Sequence, residues 1–279
     1  MSADAIAILH PGEMGSAVGT ALRAIGTRVL WASEGRGADT YRRARAAGLE
    51  DAGTLEQVVR ESAVIISICP PAAAMEVAEG VARQRFAGTY VDANAISPAT
   101  ARAVAAVIEP AGAMFVDGGI IGPPPRQPGA TRLYLSGPAA GAVAARFTGS
   151  VLEAVALAGP LAAASALKMA YAGWTKGSAA LLMCMRALAI AEGVEDALLS
   201  EWDRSIPGLA ARSASAIRDN SRKAWRFVGE MHEIAAALDA AGLPGGFHRS
   251  AAAVYERLQS YRDASTPPSV AEAYGSLRP

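Results

Sequence analysis

Two stretches carry residue types at spacings that do chemistry. The first is Ile6–Leu22, where a short apolar run with two isoleucines breaks at Pro11-Gly12 and resumes with small residues at Gly15, Ala17 and Gly19. A buried parallel strand, a glycine turn and a helix in that order seat a pyrophosphate on the free N–H groups and positive end of the helix. His10, Pro11, Gly12, Glu13, Met14 and Gly15 are the residues so placed. Gly12 and Gly15 fill the second and third glycine positions of G-x-G-x-x-G, while His10 stands at the first. The second stretch is an apolar helix, Leu161–Glu192, on which Ser165, Lys168, Tyr171, Thr175 and Ser178 recur at three- and four-residue steps as one polar stripe. A lysine in apolar surroundings needs a partner or a task. Desolvation brings its pKa toward the range where it passes a proton. Spacing alone leaves two readings open: a proton donor, or one half of an ion pair at a helix interface.

The elements that must position these residues follow from the hydrophobic pattern. Strands are expected at Arg28–Trp31, Val64–Ile68, Thr89–Asp92, Met114–Asp117 and Thr131–Ser136, with helical runs between them, among them Ala72–Arg83 and a helix capped by Ser97 and opened by Pro98. This alternation specifies a doubly wound, Rossmann-type parallel sheet, whose ligands bind at the carboxyl ends of the strands. His10, Ser33, Cys69-Pro70, Asn94 and the Gly119–Pro123 loop then share one edge. About 20 residues past the glycine turn, where the adenosine ribose is read, stand Ser33, Glu34 and Arg36, with Arg42, Arg43 and Arg45 on the next helix. A hydroxyl with guanidinium groups suits a 2′-phosphate and favours NADP. Glu34, able to accept from a free 2′-hydroxyl, keeps NAD open. From Leu161 the alternation gives way to helices near Leu198–Ser205, Leu209–Asp219, Trp225–Ala241 and Phe247–Gln259, followed by a loose tail at Ser265–Pro279. The division is therefore a cofactor-binding domain over 1–160 and an all-α domain over 161–279.

Composition excludes several classes. The chain of 279 residues is 52% hydrophobic and 19% charged, with 26 basic and 26 acidic residues. A zero formal charge gives no basis for a nucleic-acid or membrane-surface partner. Cys69 and Cys184 lie far apart without metal-ligand spacing and read as reduced core cysteines of a cytoplasmic protein, so no metal is expected. Lys168, Lys176 and Arg186 interrupt Leu157–Ala191 and make it a buried helix rather than a membrane span.

Leu9-His10-Pro11-Gly12-Glu13-Met14-Gly15, Val91–Pro98, Asp117–Pro125 and Ala166-Leu167-Lys168-Met169-Ala170-Tyr171 together resemble the β-hydroxyacid dehydrogenase and 6-phosphogluconate dehydrogenase superfamily. The resemblance covers nearly the whole chain and is nearest to a branch with its own type of C-terminal domain. It implies that Gly12, Met14 and Gly15 bind NAD(P), that Asn94 borders nicotinamide and substrate, and that Lys168 is the proton donor. It also implies a homodimer joined through the C-terminal helical domain.

The chain departs from that pattern at three places. Ile121-Gly122-Pro123 replace the usual Ser-Gly-Gly substrate loop, Ala172 replaces an asparagine four residues beyond the lysine, and His232-Glu233 replace a Lys-Asp pair. The reductase framework is kept and the carboxylate grip is altered. The expected function is hydride transfer between NADP and a small carbonyl or alcohol, with Ile121, Gly122, Pro123, Lys168, Tyr171 and His232 toward the substrate. An imine reductase using Tyr171 as a second donor and a non-catalytic NADPH-binding sensor are the alternatives.

Overall fold

The computed structural model describes residues 4–262 and 264–278. It divides into two compact units, Met1–Lys168 and Met169–Pro279. The first runs β1 (Ala5–Ile8), α1 (Glu13–Ala24), β2 (Val29–Trp31), α2 (Ala38–Ala46), β3 (Glu50–Asp51), α3 (Leu55–Glu61), β4 (Ser62–Ser67), α4 (Ala74–Arg83), β5 (Thr89–Asp92), α5 (Pro98–Ile108), β6 (Met114–Ile121), β7 (Arg132–Ser136), α6 (Ala140–Ala145) and β8 (Glu153–Ala156). One eight-stranded sheet has the order β3-β2-β1-β4-β5-β6-β7-β8. All neighbours are parallel except β6 and β7. The chain winds outward from β1 to β3 and then returns to place β4 against the other side of β1. The crossovers diverge there, and a crevice opens at the carboxyl ends of β1 and β4.

Both faces of the sheet are covered, which is why β1 is apolar at every position and β4 is apolar between its terminal serines. Ile6 and Ile8 pack with Val29, Trp31, Ile66 and, from α1, Val18 and Leu22. Ala5, Ala7 and Leu9 pack on the opposite face with Leu30, Ile65 and Tyr90. Ser97 caps α5, its hydroxyl accepting the Thr100 N–H at 3.1 Å, with Pro98 in the first turn.

Four expectations need correction. The strand expected to stop at Asp117 continues to Ile121, pairing with β5 over Met114–Asp117 and antiparallel with β7 over Asp117–Ile121. Gly118 and Gly119 are strand residues, needed for close approach rather than for a turn: a Cβ on Gly118 would stand 2.9 Å from Asp92 O, and one on Gly119 2.7 Å from Ala164 O. Short β3, α3 and the edge strand β8 carry too little apolar periodicity to be read from sequence. The Ser265–Pro279 segment is ordered where it is described. Ser269 and Glu272 form a reciprocal capping box, and the buried Tyr274 donates to Ser213 O at 3.0 Å. Cys69 and Cys184 are both half-buried rather than in the core, Cys69 at the sheet edge.

The second unit is helical: the greater part of α7 (Ala163–Ala191), then α8 (Glu195–Ser205), α9 (Leu209–Ser221), α10 (Ala224–Ala240), α11 (Gly246–Glu256) and α12 (Val270–Gly275). Lys176 of α7 pairs with the buried Glu230 of α10 and lies 4.5 Å over the Phe227 ring. Tyr255 of α11 donates to Lys176 O at 2.8 Å. On its outer side α7 exposes Tyr171, Trp174, Leu181, Met185 and Leu188. Among the described residues no helix is long and apolar enough to cross a membrane.

Candidate active site

The glycine turn has the shape of an anion cradle. Gly12 N donates to His10 O at 2.8 Å, and Gly12 O receives Ser16 N at 2.9 Å as the first bond of α1. Gly12 is the N-cap and brings no side chain to cap the helix. A Cβ on Gly12 would meet nothing within 4 Å, whereas one on Gly15 would stand 2.3 Å from His10 O. Gly15 is thus required for the helix to leave the strand at this angle, and Gly12 keeps open the space in front of the turn. These are the features that a dinucleotide pyrophosphate needs.

Beside this turn, β1 and β2 run in register, with Ala7 opposite Leu30. Ser33 is buried just past β2. Its carbonyl accepts Arg36 N at 3.0 Å, closing a turn through Gly35, whose φ is +71°. The Arg43 guanidinium reaches Pro11 O at 3.4 Å from α2. Burial, helped by the nearby Arg36 charge, pulls the His10 imidazole down to about 4. Its Nδ1 is buried without a hydrogen-bond partner among the described residues. Glu34 and Glu13 are exposed.

Across the crevice, Asn94 ties the loops after β4 and β5 together. Its Oδ1 accepts Cys69 N at 2.5 Å, its Nδ2 donates to Ser67 Oγ at 3.2 Å, and its backbone N–H goes to Asp92 Oδ1 at 3.0 Å. This locks the Cys69-Pro70 loop against the sheet edge. Desolvation, opposed by the Asn94 hydrogen bonds, raises the Asp92 carboxyl to about 7. Burial likewise pushes the Cys69 thiol up to about 11.

The third part of the site is the Gly118–Ile121 overhang of β6. The buried Asp117 accepts Ser165 N at 2.9 Å and Ser136 Oγ at 2.8 Å on Oδ2, and Ser165 Oγ at 2.5 Å on Oδ1. Ser136 Oγ in turn receives Ala164 N at 3.1 Å. The orphan N–H groups of the α7 N-terminus are thereby satisfied by the sheet. One turn further on, the half-buried Lys168 donates to Ile120 O at 2.8 Å. Ile121 closes the strand, Gly122 turns with φ +124°, and Thr131 Oγ1 holds Pro123 O at 2.5 Å.

His10, Ser33, Cys69, Asn94 and Ile121 therefore follow or end strands on the carboxyl edge of the sheet. The polar stripe on α7 has no single role. Ser165 faces Asp117, while Thr175 and Ser178 bond to carbonyls of their own helix. Tyr171 lies three residues beyond Lys168, in the second unit, and is 49% exposed. His232 is exposed on α10. Sequence reasoning gave no role to Ser67, Asp92, Asp117 or Ser136. Asp92 and Asp117 each end a stretch of apolar strand, and that was the available signal.

Residues 5–157 match the family described as the NAD binding domain of 6-phosphogluconate dehydrogenase, and residues 189–258 match the Domain of unknown function (DUF1932). Among solved structures, a conserved protein of unknown function, similar in structure to 3-hydroxyacid dehydrogenases, is 28% identical over 92% of this chain and 97% of its own, with a TM-score of 0.69. The 3-hydroxyisobutyrate dehydrogenase of Mycobacterium tuberculosis, solved with L-serine, is 18% identical over 100% of both chains, with a TM-score of 0.71. A reductive aminase from Aspergillus terreus, solved with an NADPH-type cofactor, cyclohexanone and allyl amine, is 20% identical over 99% of this chain and 100% of its own, at 0.57. No curated protein matches the chain at a significant level.

Proposed function

The chain belongs to the family whose cofactor domain is the NAD binding domain of 6-phosphogluconate dehydrogenase, and we propose that this NAD(P)-dependent oxidoreductase moves hydride between NADP and a small carbonyl or alcohol. The observation that carries the proposal is Lys168, held 2.8 Å from Ile120 O on the β6 overhang by a helix whose first turn is capped by Asp117. A rigid helix keeps an ammonium aimed at one point.

Residues 1–160 bind the cofactor. The N–H groups of Met14 and Gly15 in the first turn of α1 take the pyrophosphate, and Ser33 and Arg36 take the 2′-phosphate. Glu34 reads the ribose instead if NAD is used. Bound NADPH supplies the hydride. As negative charge develops on the substrate oxygen, Lys168 Nζ gives that oxygen a proton, its N–H bond breaking as the O–H bond forms. Asn94 acts by holding the Cys69-Pro70 loop in place. Residues 161–279 provide substrate selection and dimerisation. Imine reduction is the second reading, favoured by the exposed phenol of Tyr171 on the helix that carries Lys168.

NADPH oxidation measured against a panel of small aldehydes, keto acids and cyclic imines tests the proposal. Turnover with an aldehyde or keto acid supports it. Turnover restricted to imines moves the second reading ahead, and tight NADPH binding with no turnover on any member makes the protein a sensor.

We also propose a homodimer. Tyr171, Trp174, Leu181, Met185 and Leu188 lie at positions that, with Ser178 between them, repeat at three- and four-residue steps along α7. That spacing is the seam by which one helix packs on another. A second copy presents the same seam, as a two-fold interface requires.

A further inference from the structure

We infer that His10 is a specificity-determining residue for the 2′-phosphate of NADP, donating an imidazole N–H at the place where the glycine turn ordinarily has no side chain. The inference rests on NADP being the cofactor.

The register of the sheet carries it first. Ile6 pairs with Val29 and Ala7 with Leu30, so β1 and β2 end side by side at Ile8 and Trp31, and His10 and Ser33 each stand two residues beyond the strand end. Ser33 is at the position past β2 where the 2′ substituent is read. The Ser33–Arg36 turn brings the Arg36 guanidinium near enough to the imidazole to act on its charge. Arg43 anchors to the carbonyl of Pro11, the next residue. His10, Ser33, Arg36 and Arg43 therefore lie along one corner of the carboxyl edge.

The state of the ring supports a donor rather than a third cation. Nδ1 is buried and without a partner among the described residues. A proton there would leave an unsatisfied buried N–H, which costs more than an unsatisfied lone pair. The tautomer with hydrogen on Nε2 follows, and Nε2 is the edge that can donate outward. Burial and Arg36 hold the imidazole near 4, so it is uncharged at neutral pH and does not compete with Arg36 for space or counter-charge. The charged and titratable groups on the elements around it are Arg36, Arg43, Glu13 on α1, Glu34 on the β2–α2 turn and the Cys69 thiol past β4, which burial pushes up to about 11; behind Asn94, the Asp92 carboxyl is lifted to about 7. A phosphate dianion is a much stronger acceptor than a 2′-hydroxyl, so one neutral donor still discriminates between them.

The test is calorimetric titration of 2′,5′-ADP and of AMP, which differ only in the 2′-phosphate, at pH 8 and pH 9 into the wild-type protein and into His10→Gly, His10→Phe and His10→Gln. The wild type is expected to prefer 2′,5′-ADP by the same ratio at both pH values. His10→Gly and His10→Phe should each lose roughly 10–100-fold of that preference, the scale of one hydrogen bond to a charged group. His10→Gln, which keeps an N–H donor, should recover most of it. Circular dichroism and cooperative urea unfolding show that each variant is folded. A wild type with no preference overturns the NADP reading and this inference with it. A wild-type preference that survives in both His10→Gly and His10→Phe overturns the inference alone, as does an equal loss for the two ligands.

Discussion

Asp117 Oδ2 accepts the backbone N–H of Ser165 at 2.9 Å, so a strand of the sheet caps the helix that carries Lys168. The same carboxylate holds the Ser165 and Ser136 hydroxyls. Removing it strands three buried donors and frees the helical turn that aims the lysine. Asp117→Ala should cost about 2–4 kcal/mol of stability and lower kcat while leaving the NADPH Kd nearly unchanged. Denaturant unfolding and steady-state kinetics check both parts. Loss of stability with unaltered kcat would separate the cap from the chemistry.

Lys168→Met should leave folding and NADPH binding nearly intact and lower kcat by roughly 10²–10⁴-fold, the range for losing a general acid. Tyr171→Phe should cost far less, since its phenol is half exposed and three residues further on. Near-native turnover in Lys168→Met would remove the assignment. Collapse in Tyr171→Phe would transfer the role to the tyrosine and favour an imine substrate.

The cofactor turn, the alternation of strands and helices after it and the Lys168 helix were legible in the sequence because each rests on local rules: an apolar run, glycines where backbone comes close, and a helical period. The β6 overhang was not. Gly118 and Gly119 carry the same signal in a turn as in a strand pressed against Asp92 O and Ala164 O, and only tertiary contact tells them apart. Asp117 was likewise hidden, since nothing local links residue 117 to the N–H of residue 165. The terminal helix lies within the segment read as a loose tail, although Ser269-x-x-Glu272 spells a capping box, because so short a helix carries little apolar periodicity.

Arg36→Ala should weaken NADPH by about 1.5–3 kcal/mol, the scale of a hydrogen bond to a charged group, while barely touching NADH. Dissociation constants for the two cofactors decide it. Equal losses would make Arg36 structural, and a wild type that prefers NADH would make Glu34 the reader of the ribose.

Two buried groups give opposing pH dependences of stability. Burial lifts the Asp92 carboxyl from 3.8 to about 7, so between those values the folded chain keeps a proton that the unfolded chain has lost. Its contribution to stability is full below about pH 4 and is lost as pH rises through 7. His10 is lowered from 6.5 to about 4. Its contribution is full above pH 6.5 and is lost as pH falls through 4. Over the shared window the two slopes largely cancel. Asp92→Asn should therefore uncover a rise of about 1.4 kcal/mol per pH unit between pH 4.5 and 6, seen by urea unfolding at several pH values. A slope identical to the wild type would show that Asp92 does not hold its proton in the folded chain.

The outer seam of α7 gives the last prediction. Trp174 is 72% exposed and Leu188 55%, on a helix whose inner face is already occupied by the Lys176–Glu230 pair and by Tyr255. Large apolar side chains repeated over several turns of one helix are costly to leave in water, and scattered surface hydrophobics do not fall on one stripe. A two-fold partner burying this seam and its flanks should cover more than the standard interface of about 1,600 Å². The wild type should sediment as a dimer at micromolar concentration. Trp174→Glu combined with Leu181→Glu places charge at the centre of the seam without touching the inner face, so it should give a folded monomer with unchanged helical content. A wild-type monomer, or a double variant that remains dimeric, would show that α7 is not the interface.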